Sequence, residues 1–188
     1  MSLTLVVVAK DLADLRAFDL ANCDAEETVL VANTGRTPLS VIGNHYLDHA
    51  RTPIVGLVHA DTWFGPGALC AFTMEAFAGS VCGLVGIDSD ATYRWSDKNP
   101  GAVSTLDSCS VFLRRDLGLH FDEQTLNSLH LHVEDLCLSA HLSGVPVVVP
   151  KAQAQHRSAA PRPEWLEEYW RYRNLLGAKW SGMEFRTT

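Results

Sequence analysis

Short apolar, β-branched runs alternate along this chain with stretches whose apolar side chains recur at helical spacing. Leu3–Ala9 is the first run and predicts a buried strand. Asp11–Ala21 carries Leu12, Leu15, Phe18 and Leu20 at helical steps, with Asp11 in the N-cap position. Thr28–Ala32 predicts a second buried strand, closed by the turn signal Asn33-Thr34-Gly35. Ser40–Ala50 predicts a helix with Val41, Ile42 and Leu47 facing inward. Ile54–Val58 predicts the third strand, which ends abruptly in His59-Ala60-Asp61. Strand, helix, strand, helix, strand in this order implies a parallel, doubly wound sheet with right-handed crossovers.

Phe64-Gly65-Pro66-Gly67 is a tight turn into a helix over Ala68–Ala78. Cys82–Ile87 predicts a fourth strand, and Asp88–Pro100 a long polar and aromatic loop. Val103–Leu113 is strand-like around Asp107-Ser108-Cys109, and Arg114–Leu119 predicts a short helical turn into Phe121-Asp122-Glu123. Leu129–Ser143 predicts a helix that stops at Gly144. Its front carries His130, His132, Glu134 and Asp135, and Leu136, Leu138, Ala140 and Leu142 stand behind. Pro146–Val149 predicts the last strand, followed closely by His156. Pro163–Ala178 predicts a C-terminal helix whose stripe Trp165, Tyr169, Tyr172 and Leu176 reads as core. The fold class that follows is α/β: a single domain built on a doubly wound, mostly parallel sheet flanked by helices.

Composition narrows the partners. A chain of 188 residues is enough for one domain with a real core. A net charge of −7 argues against a nucleic-acid backbone as the main partner. It also means that a phosphorylated ligand would need a cation or a local basic group to screen the repulsion. The five cysteines are odd in number, widely spaced and without a CxxC pair. They read as reduced thiols in a cytoplasmic protein, not a disulfide scaffold. No apolar run approaches membrane-spanning length, so no transmembrane segment is expected. The start at Met1 lacks a basic region and reads as a strand, not a signal peptide.

Three clusters fall where strands end or helices begin: His59 with Asp61, the group His130, His132, Glu134 and Asp135, and His156. In open α/β sheets, ligands bind outside the carboxyl ends of the strands. Imidazole and carboxylate donors suit a divalent ion such as Mn²⁺ or Mg²⁺, which can bridge two phosphates and neutralise a leaving diphosphate. A carboxylate at a helix start, Asp135, is placed to take a proton from an incoming hydroxyl. Each residue also has a plain alternative. His59 and Asp61 would be a polar strand-end turn. Glu134 and Asp135 would complement the helix dipole. His130 and His132 would be one core and one exposed histidine, and His156 a surface loop residue.

Several passages resemble the nucleotide-diphospho-sugar glycosyltransferases of the GT-A fold, in the family-2-like group. The segment from Asn44 to Asp61 is similar to that family's stretch with His-x-Asp in place of the more common Asp-x-Asp. Asp107 to Arg115 resembles its acceptor-side strand. Phe121-Asp122-Glu123 through His130 to Glu134-Asp135 looks like the passage whose last acid is the general base. Gly144 to Pro150, then His156-Arg157-Ser158, is similar to a strand followed by a histidine that completes the metal site, and Ala178-Lys179-Trp180 resembles a terminal Lys-Trp.

The resemblance implies a metal-dependent inverting transferase moving a sugar from a UDP-, GDP- or dTDP-linked donor to an acceptor hydroxyl. It implies Asp61 as the principal metal and diphosphate ligand, His59 as its neighbour and His156 as a third ligand, with Mn²⁺ or Mg²⁺ as the ion. Asp135 would be the catalytic base. Ala9, Asn33, Asn44 and Asp61 would face the nucleotide, and Asp107, Ser108, His130 and Glu134 the sugar and acceptor. Residues 1–90 would form the nucleotide half and 103–158 the acceptor and catalytic half, with 163–178 as the C-terminal helix. The chain departs from the family at Asn33, where many members have Asp, at Ser108, usually Gly, and at Val133, where an acidic or aromatic residue is expected. Two other readings stay open: a hydrolase using His59, Asp61, His130, His132 and His156 as metal ligands, and a sugar-nucleotide-binding homologue without turnover. The aromatics of the C-terminal helix leave a homodimer open as well.

Overall fold

The computed structural model describes residues 2–84, 94–95, 100–156 and 163–183. β1 (Leu3–Ala9) is buried along its whole length, as an apolar run covered on both faces should be. The short helix α1 (Leu12–Arg16) is capped by the Asp11 carboxylate, which accepts from the Ala13 and Asp14 amides at 2.9 and 3.0 Å. Such a cap contributes about 1 kcal/mol. The helix expected to reach Ala21 is broken, because Asp19 accepts from the Ala21 amide and starts a separate 3-10 turn over Leu20–Asn22. β2 (Glu27–Ala32) is half-buried, not buried as its sequence predicts, because it is the outer strand and pairs with β1 alone. α2 (Leu39–His49) and β3 (Ile54–His59) lie where their patterns put them.

β4 (Thr62–Phe64) and α3 (Ala68–Phe77) follow. β5 (Val81–Gly83) is the described part of the fourth predicted strand, whose residues 85–87 lie outside the described residues. Most of the predicted loop 88–100 lies outside them as well, apart from β6 (Arg94–Trp95) and Pro100. β7 (Gly101–Ala102) comes next. The strand expected from Val103 begins only at β8 (Ser110–Arg114), since a turn holds the residues before it. There the Asp107 amide donates to the Leu84 carbonyl at 2.7 Å, and the Asp107 carboxylate accepts from the Cys109 amide at 2.8 Å. α4 (His132–Leu142), β9 (Val147–Val149), β10 (Ala154–His156) and α5 (Pro163–Lys179) complete the chain.

Seven strands form one sheet in the order β2-β1-β3-β8-β5-β9-β7. β1 pairs in parallel with β2 and β3, and β5 with β9. β8 runs against both β3 and β5, and β7 against β9. The sheet is thus mostly parallel in strand direction, with β8 turned around at its centre. Gly56 on β3 makes room for that insertion, because a Cβ there would run into the Phe112 ring of β8. A second sheet, β4-β10-β6, is antiparallel throughout. Phe64 of β4 meets Phe72 of α3 and Phe112 of β8 edge-on at 5.7 and 6.1 Å, which ties the small sheet to the large one. Each such ring pair adds about 0.5–1.5 kcal/mol to its burial.

α4 begins three residues later than its pattern suggests. Ser128 forms a local turn, its hydroxyl donating to the His130 carbonyl and accepting from the His130 amide. Leu131 then takes a left-handed conformation, φ 61°. That geometry costs a non-glycine residue roughly 1 kcal/mol. Burial of the Leu131 side chain with Leu126, Leu138, Tyr172 and Leu176 offsets it. The same cluster docks α5 onto α4, so Tyr172 and Leu176 are core, as the stripe predicts. Tyr169 packs at its edge, and the Trp165 side chain lies outside what is described. Leu166 and Trp170 remain exposed on the outer face. Among the described residues, no helix is long and apolar enough to cross a membrane.

Candidate active site

β3 delivers His59 to the carboxyl end of the sheet, and the next residues turn into β4. The turn is tightly held. The Ala60 amide donates to the Val8 carbonyl at 2.9 Å, and the Cys109 carbonyl accepts from the His59 amide at 2.9 Å and the Thr62 hydroxyl at 3.3 Å. β10 then pairs antiparallel with β4, placing His156 opposite Thr62. That register brings His156 Nε2 to 3.0 Å from Asp61 Oδ1, although 95 residues separate them in sequence. The His59 and His156 rings stand 5.5 Å apart. One donor atom from each of His59, Asp61 and His156 lies within 4.8 Å of the others.

The charges in this group are arranged for a cation. Burial pushes His59 down to about 4, helped by the neighbouring His156. Burial alone would raise Asp61, but its hydrogen bond from His156 and the two imidazoles hold it below the usual carboxylate range. At neutral pH the group therefore offers a neutral His59 imidazole and an ionised Asp61 carboxylate, the protonation states that metal ligation needs. Two nitrogens and one oxygen within this span fit a divalent ion, and they suit Mn²⁺ or Zn²⁺ better than Mg²⁺, which favours oxygen donors. Asp107, Cys109 and His156 form a second such group, all three buried.

Glu134 stands beside this cluster, fully enclosed, and accepts from the Ser108 hydroxyl at 2.9 Å. Burial, with Asp107 nearby, pushes its carboxyl up to about 8. Its folded pKa lies above its unfolded one, so the native state holds the extra proton between about pH 4.5 and 8. This contribution to stability is present in acid and is lost as pH rises through that window. His59 has the opposite sign, because its unfolded imidazole takes up a proton below about pH 6.5 while the native one resists down to about 4. Urea midpoints measured from pH 5 to 8 should therefore fall on the alkaline side, and Glu134→Gln should flatten that limb and steepen the rise on the acid side, where His59 is left unopposed. An unchanged alkaline limb would show that Glu134 does not hold the proton.

Asp135 is held by the end of α5. Its side chain is 1% exposed, and Lys179 Nζ lies 2.8 and 2.9 Å from its two oxygens. Trp180 Nε1 donates to Oδ1 at 2.6 Å. Lys179 also reaches Asp122 at 2.7 Å, so the end of α5 joins two carboxylates. Burial opposes the Lys179 charge, yet its hydrogen bonds to Asp122 and Asp135 raise its pKa overall.

The other expected site residues divide. Ala9 and Asn33 meet at the strand ends, the Asn33 amide donating to the Ala9 carbonyl at 2.7 Å. The Asn33 side chain closes its own turn through both the Thr37 carbonyl and amide. Asn44 is buried and clamps the 121–123 segment, bonding to the Phe121 amide and carbonyl and to Glu123. His130 lies against Tyr169, and burial lowers its pKa. His132 is fully buried against the Phe121 ring, and burial pushes it down to about 3. Neither of its ring nitrogens finds a hydrogen-bond partner among the described residues, and it belongs to neither donor group. Thus His59, Asp61, Asp107, Cys109 and His156 come together, Ser108 and Glu134 adjoin them, and Asp135 faces α5. The sequence did not mark Cys109 as a donor, nor Lys179 and Trp180 as partners of Asp135. The only hint of the latter was the terminal Lys-Trp resemblance.

In sequence, no protein-family model and no curated protein matches this chain. In structure, residues 1–349 of S. aureus TarS match with a TM-score of 0.53 at 15% identity, covering 99% of this chain and 67% of that one. The chain spans 41% of the longer TarS structure. The TarS 1–349 fragment has been solved with UDP and with UDP-GlcNAc. A197 from STIV matches with a TM-score of 0.56 at 14% identity, covering 85% of this chain and 87% of that one. A nucleotidyl transferase from Methanothermobacter matches at 0.54 and 12% identity, covering 92% and 98%. At such identities the likeness is one of fold, and this chain has a GT-A-type α/β fold.

Proposed function

We propose that the protein is a metal-dependent inverting glycosyltransferase that moves a sugar from a nucleoside-diphosphate donor to an acceptor hydroxyl. The observation that carries this is the approach of His156 to Asp61 beside His59, at the carboxyl end of β3 in a GT-A-type sheet. His59, Asp61 and His156 would hold a divalent ion, Mn²⁺ in preference to Mg²⁺. When bound, the ion neutralises the charge that develops on the departing diphosphate. Ala9 and Asn33, joined at the strand ends, would line the base and ribose. Asp135 would take the proton of the acceptor hydroxyl as its oxygen attacks the anomeric carbon. Lys179 and Trp180 fix the carboxylate in place for that step.

The full engagement of the Asp135 carboxylate favours a second reading, a sugar-nucleotide-binding protein without turnover. A thermal-shift panel of UDP-, GDP- and dTDP-sugars, with and without Mn²⁺, tests the first and separates the two. A ligand that binds only the native state raises the melting temperature, by about 2.7 kcal/mol of stability at a hundredfold excess over Kd. One nucleotide class should raise Tm, more so with Mn²⁺. Release of nucleoside diphosphate on adding acceptor then marks a transferase, and stabilisation without release marks a binder. No shift with any donor would overturn both.

A further inference from the structure

We propose that Asp107, Cys109 and His156 form a buried seat for a thiophilic divalent ion of the zinc class, adjoining the His59–Asp61–His156 group and sharing His156 with it. One donor atom from each of the three lies within 4.8 Å of the others, a span that ligands of a single ion can close. All three residues are buried, at 8% exposure or less. The backbone holds the thiol's position from three sides. The Cys109 amide donates to Asp107 Oδ1, and its carbonyl accepts from the His59 amide and the Thr62 hydroxyl. His156 is fixed from the other side by the pairing of β10 with β4. A carboxylate, a thiol and an imidazole share an enclosed space here, and a soft cation is the ligand that such a donor set favours over Mg²⁺.

Burial keeps the Cys109 thiol protonated without a metal. On binding, that proton leaves to solvent as the sulfur becomes a thiolate ligand. The other buried thiols, Cys82 and Cys137, belong to no donor group among the described residues.

This seat deepens the transferase reading through His156, but its test is separate. Co²⁺ is added to the full chain, and its absorption is recorded for the parent, Cys109→Ser and Asp61→Asn. The parent should show thiolate-to-cobalt charge transfer in the near ultraviolet. Cys109→Ser should lose that band with its circular dichroism unchanged, and Asp61→Asn should keep it. Zn²⁺ should abolish the band by displacement, and Mg²⁺ in large excess should not. A parent without the band, or a band that survives in Cys109→Ser, overturns the seat. If Cys109→Ser fails to fold, the parent's response to Zn²⁺ and Mg²⁺ decides, and displacement by Mg²⁺ overturns it. UDP and Mn²⁺ binding by a parent that lacks the band leaves the transferase reading standing. A band without nucleotide binding leaves the seat standing alone.

Discussion

Asp135→Asn should lower sugar transfer by a factor of about 10²–10⁴, the usual contribution of a positioned general base. Donor binding should survive, because the substitution leaves the His59, Asp61 and His156 group untouched. Asparagine keeps the shape of the side chain, and its oxygen can still accept from Trp180. What it loses is the charge that faces Lys179 and the capacity to take a proton. Rates and nucleotide-induced thermal shifts should be measured on the same preparation, below the variant's melting temperature. A variant transferring at the parental rate would remove Asp135 from the chemistry. Glu134, its neighbour, which accepts from Ser108, would then be the next acid to test.

Lys179→Met should destabilise the protein by about 3 kcal/mol, the low end for breaking a buried ion pair. The low end applies because the lysine side chain is 29% exposed whereas that of Asp135 is 1% exposed. Removing the ammonium strands a buried carboxylate that also shares the cation with Asp122. Methionine keeps much of the aliphatic stem, so the loss reports on charge more than on packing. The double variant with Asp135→Asn should be more stable than the two single losses add up to, because the second change removes the stranded charge. Strict additivity in denaturant midpoints would mean that the two groups do not couple. A loss well below about 1 kcal/mol would place the pair among exposed bridges of little consequence.

Much of the architecture was legible because strands and helices write their periods into the sequence. β1, α2, β3 and α5 follow apolar patterns set by what each face touches. The misreadings have local causes. β2 looked buried because its residues are apolar, but burial depends on having a neighbour on both sides. β8 started late because Asp107 bonds to nearby backbone, a competition that hydrophobic pattern does not register.

The sequence by itself determined the mostly parallel α/β core, the placement of His59 and Asp61 at a strand end, and the acidic first turn of α4. These follow from spacing along a single element. Only the tertiary structure decided that His156 faces Asp61, that Cys109 joins Asp107, and that Asp135 bonds to Lys179 and Trp180 while Glu134 bonds to Ser108. Each of these depends on strand register or on how one helix packs against another. Those choices are made by contacts between residues far apart in the chain, and no local pattern encodes them.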